Sequence, residues 1–157
     1  MTRRRNHRYA VAVARRDGHW QCTRLDRTAL TGLDEAVAAV RGAGTPEPLC
    51  GLFNADEAFF LILRPTPAGT ALLLSDARAA HRHTLAAQAL DALGAALPDA
   101  DAPDGVPAGD LGIVTDLGLT AQDMAAVLAR PDGLPDDLLR TIAERCGFAA
   151  EFDRVKA

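Results

Sequence analysis

Serine is almost missing from this chain: Ser75 is the one copy in 157 residues. It lacks the G-x-S-x-G setting of a nucleophile elbow, which excludes that kind of hydrolase and leaves Ser75 or Asp76 to cap a helix. Lysine is as scarce, with Lys156 set against 16 arginines. Cysteine is limited to Cys22, Cys50 and Cys146, an odd set without a CxxC pair. That spacing argues against a disulfide framework or a zinc site and predicts reduced thiols. Aromatic residues make up 4% of the chain, so the core must be built from Leu, Val, Ile and Ala. No apolar run is long enough to span a bilayer, and Tyr9–Ala14 is too short for the apolar region of a signal peptide. A cytoplasmic location is the expectation. Walker, GxGxxG and EF-hand patterns are absent too, so no cofactor and no metal is expected.

What is present is organised around Phe59–Ser75. Phe59-Phe60-Leu61-Ile62-Leu63 and Ala71-Leu72-Leu73-Leu74 are apolar runs separated by a Pro/Gly turn, the mark of paired, largely buried strands. Tyr9–Ala14 predicts a first strand with Val11 and Val13 on one face. Asp17-Gly18 predicts a hairpin turn, because Gly accepts positive φ. Trp20–Leu25 then forms a second strand with Trp20, Cys22 and Arg24 on a common face. A helix is predicted over 31–44, stopped by Gly42, Gly44, Pro46 and Pro48. A third strand covers Leu49–Asn54. A second helix is predicted from Asp76 to Leu97, with Leu85, Ala89, Leu93 and Leu97 as its buried stripe.

Beyond Leu97 the composition changes. Residues 98–110 hold Pro98, Pro103 and Pro107 with Asp99, Asp101, Asp104 and Asp110, and read as a mobile acidic linker. Thr120-Ala-Gln-Asp123 resembles a capping box, and Pro135-Asp136-Asp137 opens a further helix that Gly147 terminates. Phe148 and Phe152 are expected to pack back on these helices. The domain reading is therefore a basic disordered arm (1–8), an α+β domain (9–97), the linker (98–110) and a helical module (111–157). The fold class is α+β: a five-stranded, mainly antiparallel sheet in ββαβββα order, with a small C-terminal helical module.

Charge is uneven along the chain. Residues 1–97 carry 12 basic and 9 acidic residues, whereas 98–157 carry 5 and 12. An acidic tail is a poor surface for nucleic acid, whose phosphates need basic clusters. It suits either solubility or the steering of a basic protein partner. The arginines of the arm, Arg3, Arg4, Arg5 and Arg8, are the one stretch that could touch RNA phosphates.

No catalytic constellation is legible. His81 and His83 are two apart and cannot chelate one metal from a regular helix. The acid pairs Asp34-Glu35 and Asp136-Asp137 fit helix starts and Asp56-Glu57 fits a turn, whereas paired-carboxylate catalysis needs acids facing across a cleft. Cys50 and Cys146 sit in apolar contexts, where thiols are inert packing.

Several stretches together resemble the actinobacterial tRNA adenosine deaminase-associated family: Tyr9–Val13, Leu73–Ala80, Gly109–Leu119, Ile142–Phe148 and Glu151–Val155. The Asp116-Leu117-Gly118-Leu119 and Gly147-Phe148 segments are the most telling. The resemblance implies a relation to the deaminase that makes inosine in tRNA anticodons. The chain itself lacks the H-x-E and P-C-x-x-C elements of such zinc enzymes. The order ββαβββα is also similar to the longin/roadblock group of interaction domains. The expectation is a non-catalytic interaction module that partners tRNA adenosine deaminase, with Asp116, Leu117, Gly118 and Leu119 as the candidate partner-binding residues. The alternatives are an enzyme with a thiol or carboxylate centre, and a tRNA-binding accessory protein that acts through the arm.

Overall fold

A computed structural model describes residues 8–43, 49–130 and 133–156. The expectations for residues 1–7 of the arm and for Gly44, Pro46 and Pro48 lie outside the described residues. Strands β1 (Arg8–Arg16), β2 (His19–Arg24), β3 (Cys50–Ala55), β4 (Phe59–Thr66), β5 (Gly69–Leu74) and β6 (Ala108–Gly109) form one sheet in the order β2-β1-β3-β4-β5-β6. Every pairing in it is antiparallel. The helices are α1 (Leu33–Arg41), α2 (Thr84–Leu93), α3 (Ala121–Leu128), α4 (Pro135–Cys146) and α5 (Ala149–Lys156).

The fold class is thus α+β, with a correction in detail: among the described residues the sheet has six strands, not five. The sixth pairs Ala108 with Leu74 and Gly109 with Leu73. Two residues inside a Pro/Asp-rich stretch carry no alternation to read, so β6 leaves no sequence signal. Gly109 sits at φ +113°, and a Cβ there would lie 2.1 Å from the Leu72 carbonyl oxygen, so only Gly fits.

Helices cover both faces of the sheet, which explains why its central strands are apolar runs rather than alternating ones. On one face Ala10, Phe53, Phe59, Leu61, Leu63, Leu72 and Leu74 pack with Ala36 and Val40 of α1 and Leu85, Ala86, Ala89 and Leu90 of α2. α1 sits close: a Cβ on Gly51 would lie 2.5 Å from Val40 Cγ2. On the other face Tyr9, Val11, Val13, Leu52, Phe60, Ile62 and Leu73 pack with Met124, Leu139, Ile142, Phe148 and Phe152 of the C-terminal segment. Sheet and C-terminal helices therefore share one core.

Both early helices are shorter than the sequence suggests. The 31–44 prediction narrows to α1, and a separate 3₁₀ turn, Arg27–Leu30, lies ahead of it. Gly32 has no side chain to cap α1, and Gln88 of α2 does so instead, its Oε1 accepting from Leu33 N at 2.7 Å. The Asp76–Leu97 prediction breaks into a 3₁₀ turn, Ala77–His81, and α2, with His83 extended between them. Gly94, at φ +65°, ends α2, so Leu97 falls outside it and is 56% exposed. Asp76, rather than Ser75, caps the turn by accepting from Arg78 N, whereas Ser75 Oγ accepts from Phe60 N at 2.8 Å.

The stretch 98–110 runs beside the Ala77–His81 turn. Arg78 Nη1 donates to Ala102 O at 2.6 Å, Ala77 N to Val106 O at 2.7 Å and Val106 N to Asp76 Oδ1 at 3.2 Å. Among the described residues, no helix is long and apolar enough to cross a membrane.

Candidate functional site

The segment Asp116–Leu119 closes a tight turn between a 3₁₀ turn (Thr115–Leu117) and α3. Its backbone is fixed locally: Leu117 N donates to Val114 O at 2.9 Å, and Gly118 N donates to Thr115 O at 3.1 Å. Gly118 takes φ +119°, which turns the chain back toward the core. Leu119 is fully buried there, and Leu117 packs half-buried beside it. Asp116 points outward but is held. Arg64, from β4, grips it with two hydrogen bonds of 2.6 and 2.8 Å and spends a further bond of 2.9 Å on Ile113 O. The guanidinium holds the Asp116 carboxyl below its ordinary value, and the hydrogen bond to Asp116 raises Arg64. Of the four candidate residues, Asp116 and Gly118 are thus exposed, Leu117 is half-buried and Leu119 belongs to the interior.

A second group of polar side chains meets at the opposite end of β4. Tyr9 Oη donates to Asp136 Oδ1 at 2.7 Å, and Lys156 Nζ donates to the same oxygen at 2.9 Å. Glu57 Oε1 accepts from Asp136 N at 2.9 Å and from Asn54 Nδ2 at 2.7 Å. Lys156 also lies 5.1 Å from the centre of the Phe152 ring and 3.5 Å from Asp153 Oδ1. Asn54 is fully buried, and Tyr9 is nearly so. Burial, with the Asp136 carboxylate close by, pushes the Tyr9 phenol well above its ordinary value. β1, the β3–β4 turn, α4 and α5 are joined at this point. Sequence reading missed the group because its members are far apart in the chain, Tyr9 and Asp136 by 127 residues. Lys156 and Tyr9, each the sole residue of its type, were the available signal.

The thiols are set for packing. Cys50 of β3 and Cys146 of α4 are buried in the core between the sheet and the C-terminal helices, and Cys22 is packed against it. Burial is the leading cause that pushes Cys22 and Cys50 up to about 12 and Cys146 up to about 11. Such groups carry very little thiolate at neutral pH. The histidines are dispersed in role: His81 Nε2 lies 2.6 Å from Pro98 O, and His83 makes an edge contact with Phe59. Among the described residues, no three His, Cys, Asp or Glu side chains are grouped to hold a metal ion.

The acid pairs sit as expected from helix and turn chemistry. Asp34-Glu35 and Asp136-Asp137 occupy first helical turns, and Asp56 and Glu57 both take φ +56° in the β3–β4 turn. Fold and side chains together define an α+β protein whose antiparallel sheet lies between two helical layers and whose polar clusters tie elements to one another. Residues 8–149 match the family described as Rv3753c-like tRNA adenosine deaminase-associated protein, and the chain belongs to that family. It is similar to Protein Rv3753c of Mycobacterium tuberculosis, with 39% identity over 149 residues, covering 94% of this chain and 86% of the relative. No solved structure matches the chain.

Proposed function

We propose that this protein is a non-catalytic interaction module that accompanies tRNA adenosine deaminase in the cytoplasm. The observation that supports it is membership of a family described as associated with that deaminase, in a chain without the H-x-E and P-C-x-x-C elements of the enzyme. The thiol alternative has little support, because the thiols are packed and held in their neutral form. The likeness to longin/roadblock domains is one of element order and assigns no function by itself.

The docking surface proposed is the rim formed by Asp116, Leu117 and Gly118, seated on buried Leu119. Its backbone is preset by the Arg64 grip and the Gly118 turn, so a partner would not have to order it. The division into an arm, a sheet part (9–97), a connecting stretch (98–110) and a helical part (111–157) belongs to the same proposal, with the helical part presenting the rim. Tagged protein purified from its own host tests the reading. The deaminase should be enriched over an unrelated control protein, and less so with Asp116→Arg. No enrichment with the unaltered chain would end the proposal.

A further inference from the structure

Three arginines from separate parts of the chain line one cleft. Arg8 comes from β1, Arg27 from the 3₁₀ turn before α1 and Arg82 from the link into α2; together with His83, Thr31 and Thr84 they border a space of about 290 Å³. One carboxylate shares the lining, Asp56, and Arg8 already engages it through bonds of 3.1 and 2.8 Å. Arg27 and Arg82 make no ion pair among the described residues, and both are exposed. The chain as a whole carries −4, so three arginines gathered here against the one acid Asp56 run against its general balance.

The polar lining has the matching chemistry. The Thr84 hydroxyl has no hydrogen-bond partner within the described residues. Thr31 donates its proton to Thr28 O at 2.6 Å and keeps an acceptor side. His83 is held in place by its edge contact with Phe59, whose ring forms part of the floor. α2 begins at Thr84 with no side-chain cap and no acid in its first turn, so nothing of the helix itself competes for an anion. Planar guanidinium groups pair with tetrahedral oxyanions through paired hydrogen bonds. The cleft lies near the lower end of the range for ligand sites, about 300 Å³.

We propose that this cleft binds a phosphate group, held by Arg27 and Arg82, with Arg8 and Thr84 at its sides. A free nucleotide or an RNA backbone could carry that phosphate. The proposal stands independently of the deaminase reading.

The test uses the full chain with pyrophosphate, AMP and a short single-stranded RNA as probes, each titrated at low and at raised salt. Arg27→Ala combined with Arg82→Ala should weaken binding about tenfold or more. Arg16→Ala, at an exposed arginine that does not line the cleft, should leave it unchanged, as should deletion of residues 1–7. Melting curves should match the unaltered protein's, because neither cleft arginine is paired within the fold. Pyrophosphate or AMP binding with no gain from RNA assigns the site to a free nucleotide. Tighter, strongly salt-dependent binding of RNA assigns it to a backbone. The proposal is overturned if no probe binds at millimolar concentration, if the double variant binds as before, or if binding disappears with residues 1–7.

Discussion

Tyr9 Oη and Asp136 Oδ1 are 2.7 Å apart across 127 positions of sequence, and their bond ties the first strand to the start of α4. Phenylalanine in place of Tyr9 keeps the ring contact with Phe152 and removes the bond to Asp136, which Lys156 still serves. Tyr9→Phe is expected to cost about 1.5–3 kcal/mol, the range for a hydrogen bond to a charged group. Urea unfolding at neutral pH measures it. Asp136→Ala should cost more, because it strands a buried hydroxyl and removes a partner of Lys156.

The same phenol makes stability depend on alkaline pH. Its ionisation in the folded protein is raised above the ordinary value of 10.0, so its contribution is complete below that value and falls as pH rises above it. The slope from this one group is at most about 1.4 kcal/mol per pH unit. Tyr9→Phe should therefore show a shallower loss of stability between pH 10 and pH 11 than the unaltered chain.

The thiols act in the same direction but begin lower. Each is raised from 9.0, so stability due to the neutral thiols is present below pH 9 and lost as pH climbs toward 11 and 12. Labelling with a maleimide at pH 7.5 should reach Cys22 first, because it is half-buried on the edge strand β2. Cys50, 1% exposed in the sheet, should react only when the protein unfolds. Rapid labelling of Cys50 in the folded protein would contradict this arrangement.

Arg64 and Asp116 give a test of opposite sign at acid pH. The Asp116 carboxyl is held below its ordinary 3.8, so the pair's contribution is present above that pH and lost as pH falls below it. The Asp116 side chain is 60% exposed, and exposed pairs contribute about 1 kcal/mol or less. Asp116→Ala should therefore leave the melting temperature nearly unchanged. A large fall in deaminase recovery with that variant would reflect the rim itself rather than a damaged fold.

Turn chemistry and apolar runs made most of the framework legible. Asp17-Gly18 does form the hairpin turn, at φ 53° and 78°, and Thr120 Oγ1 does accept from Asp123 N at 3.2 Å to start α3. Gly147 ends α4 at φ +99°, as its place after the last apolar turn predicts. The failures share a physical cause, which is that distant parts of the chain decided the local outcome. Gln88 supplies a cap that residues near α1 lack. β6 exists through its pairing with β5 and has no pattern of its own. α5 was visible only as Phe148 and Phe152 packing inward, because eight residues with Phe152 as their one aromatic give a weak period. The candidate rim was located by likeness alone. The Arg64 grip on it and the arginine cleft depend on three-dimensional convergence that spacing does not encode.

The C-terminal helices form half the core, and that makes a strong prediction about any shortened chain. Tyr9, Val11, Val13, Leu52, Phe60, Ile62 and Leu73 form a continuous apolar face whose cover comes from residues after 110. Ending the chain at Leu97 would open that face to water and also remove β6, leaving β5 as a bare sheet edge. A fragment spanning 1–97 should aggregate or stay unfolded, read by size-exclusion chromatography and circular dichroism. Phe152→Ala in the full chain is a milder version of the same loss. Phe152 lies 5.8 Å from Tyr9 and 6.4 Å from Phe148, ring centre to ring centre, and is fully buried. Its truncation should cost about 3–5 kcal/mol, as expected for a buried aromatic side chain. A soluble, monomeric 1–97 fragment with a cooperative melt would show instead that the sheet and its α1–α2 layer stand alone, with the C-terminal helices as a detachable cover.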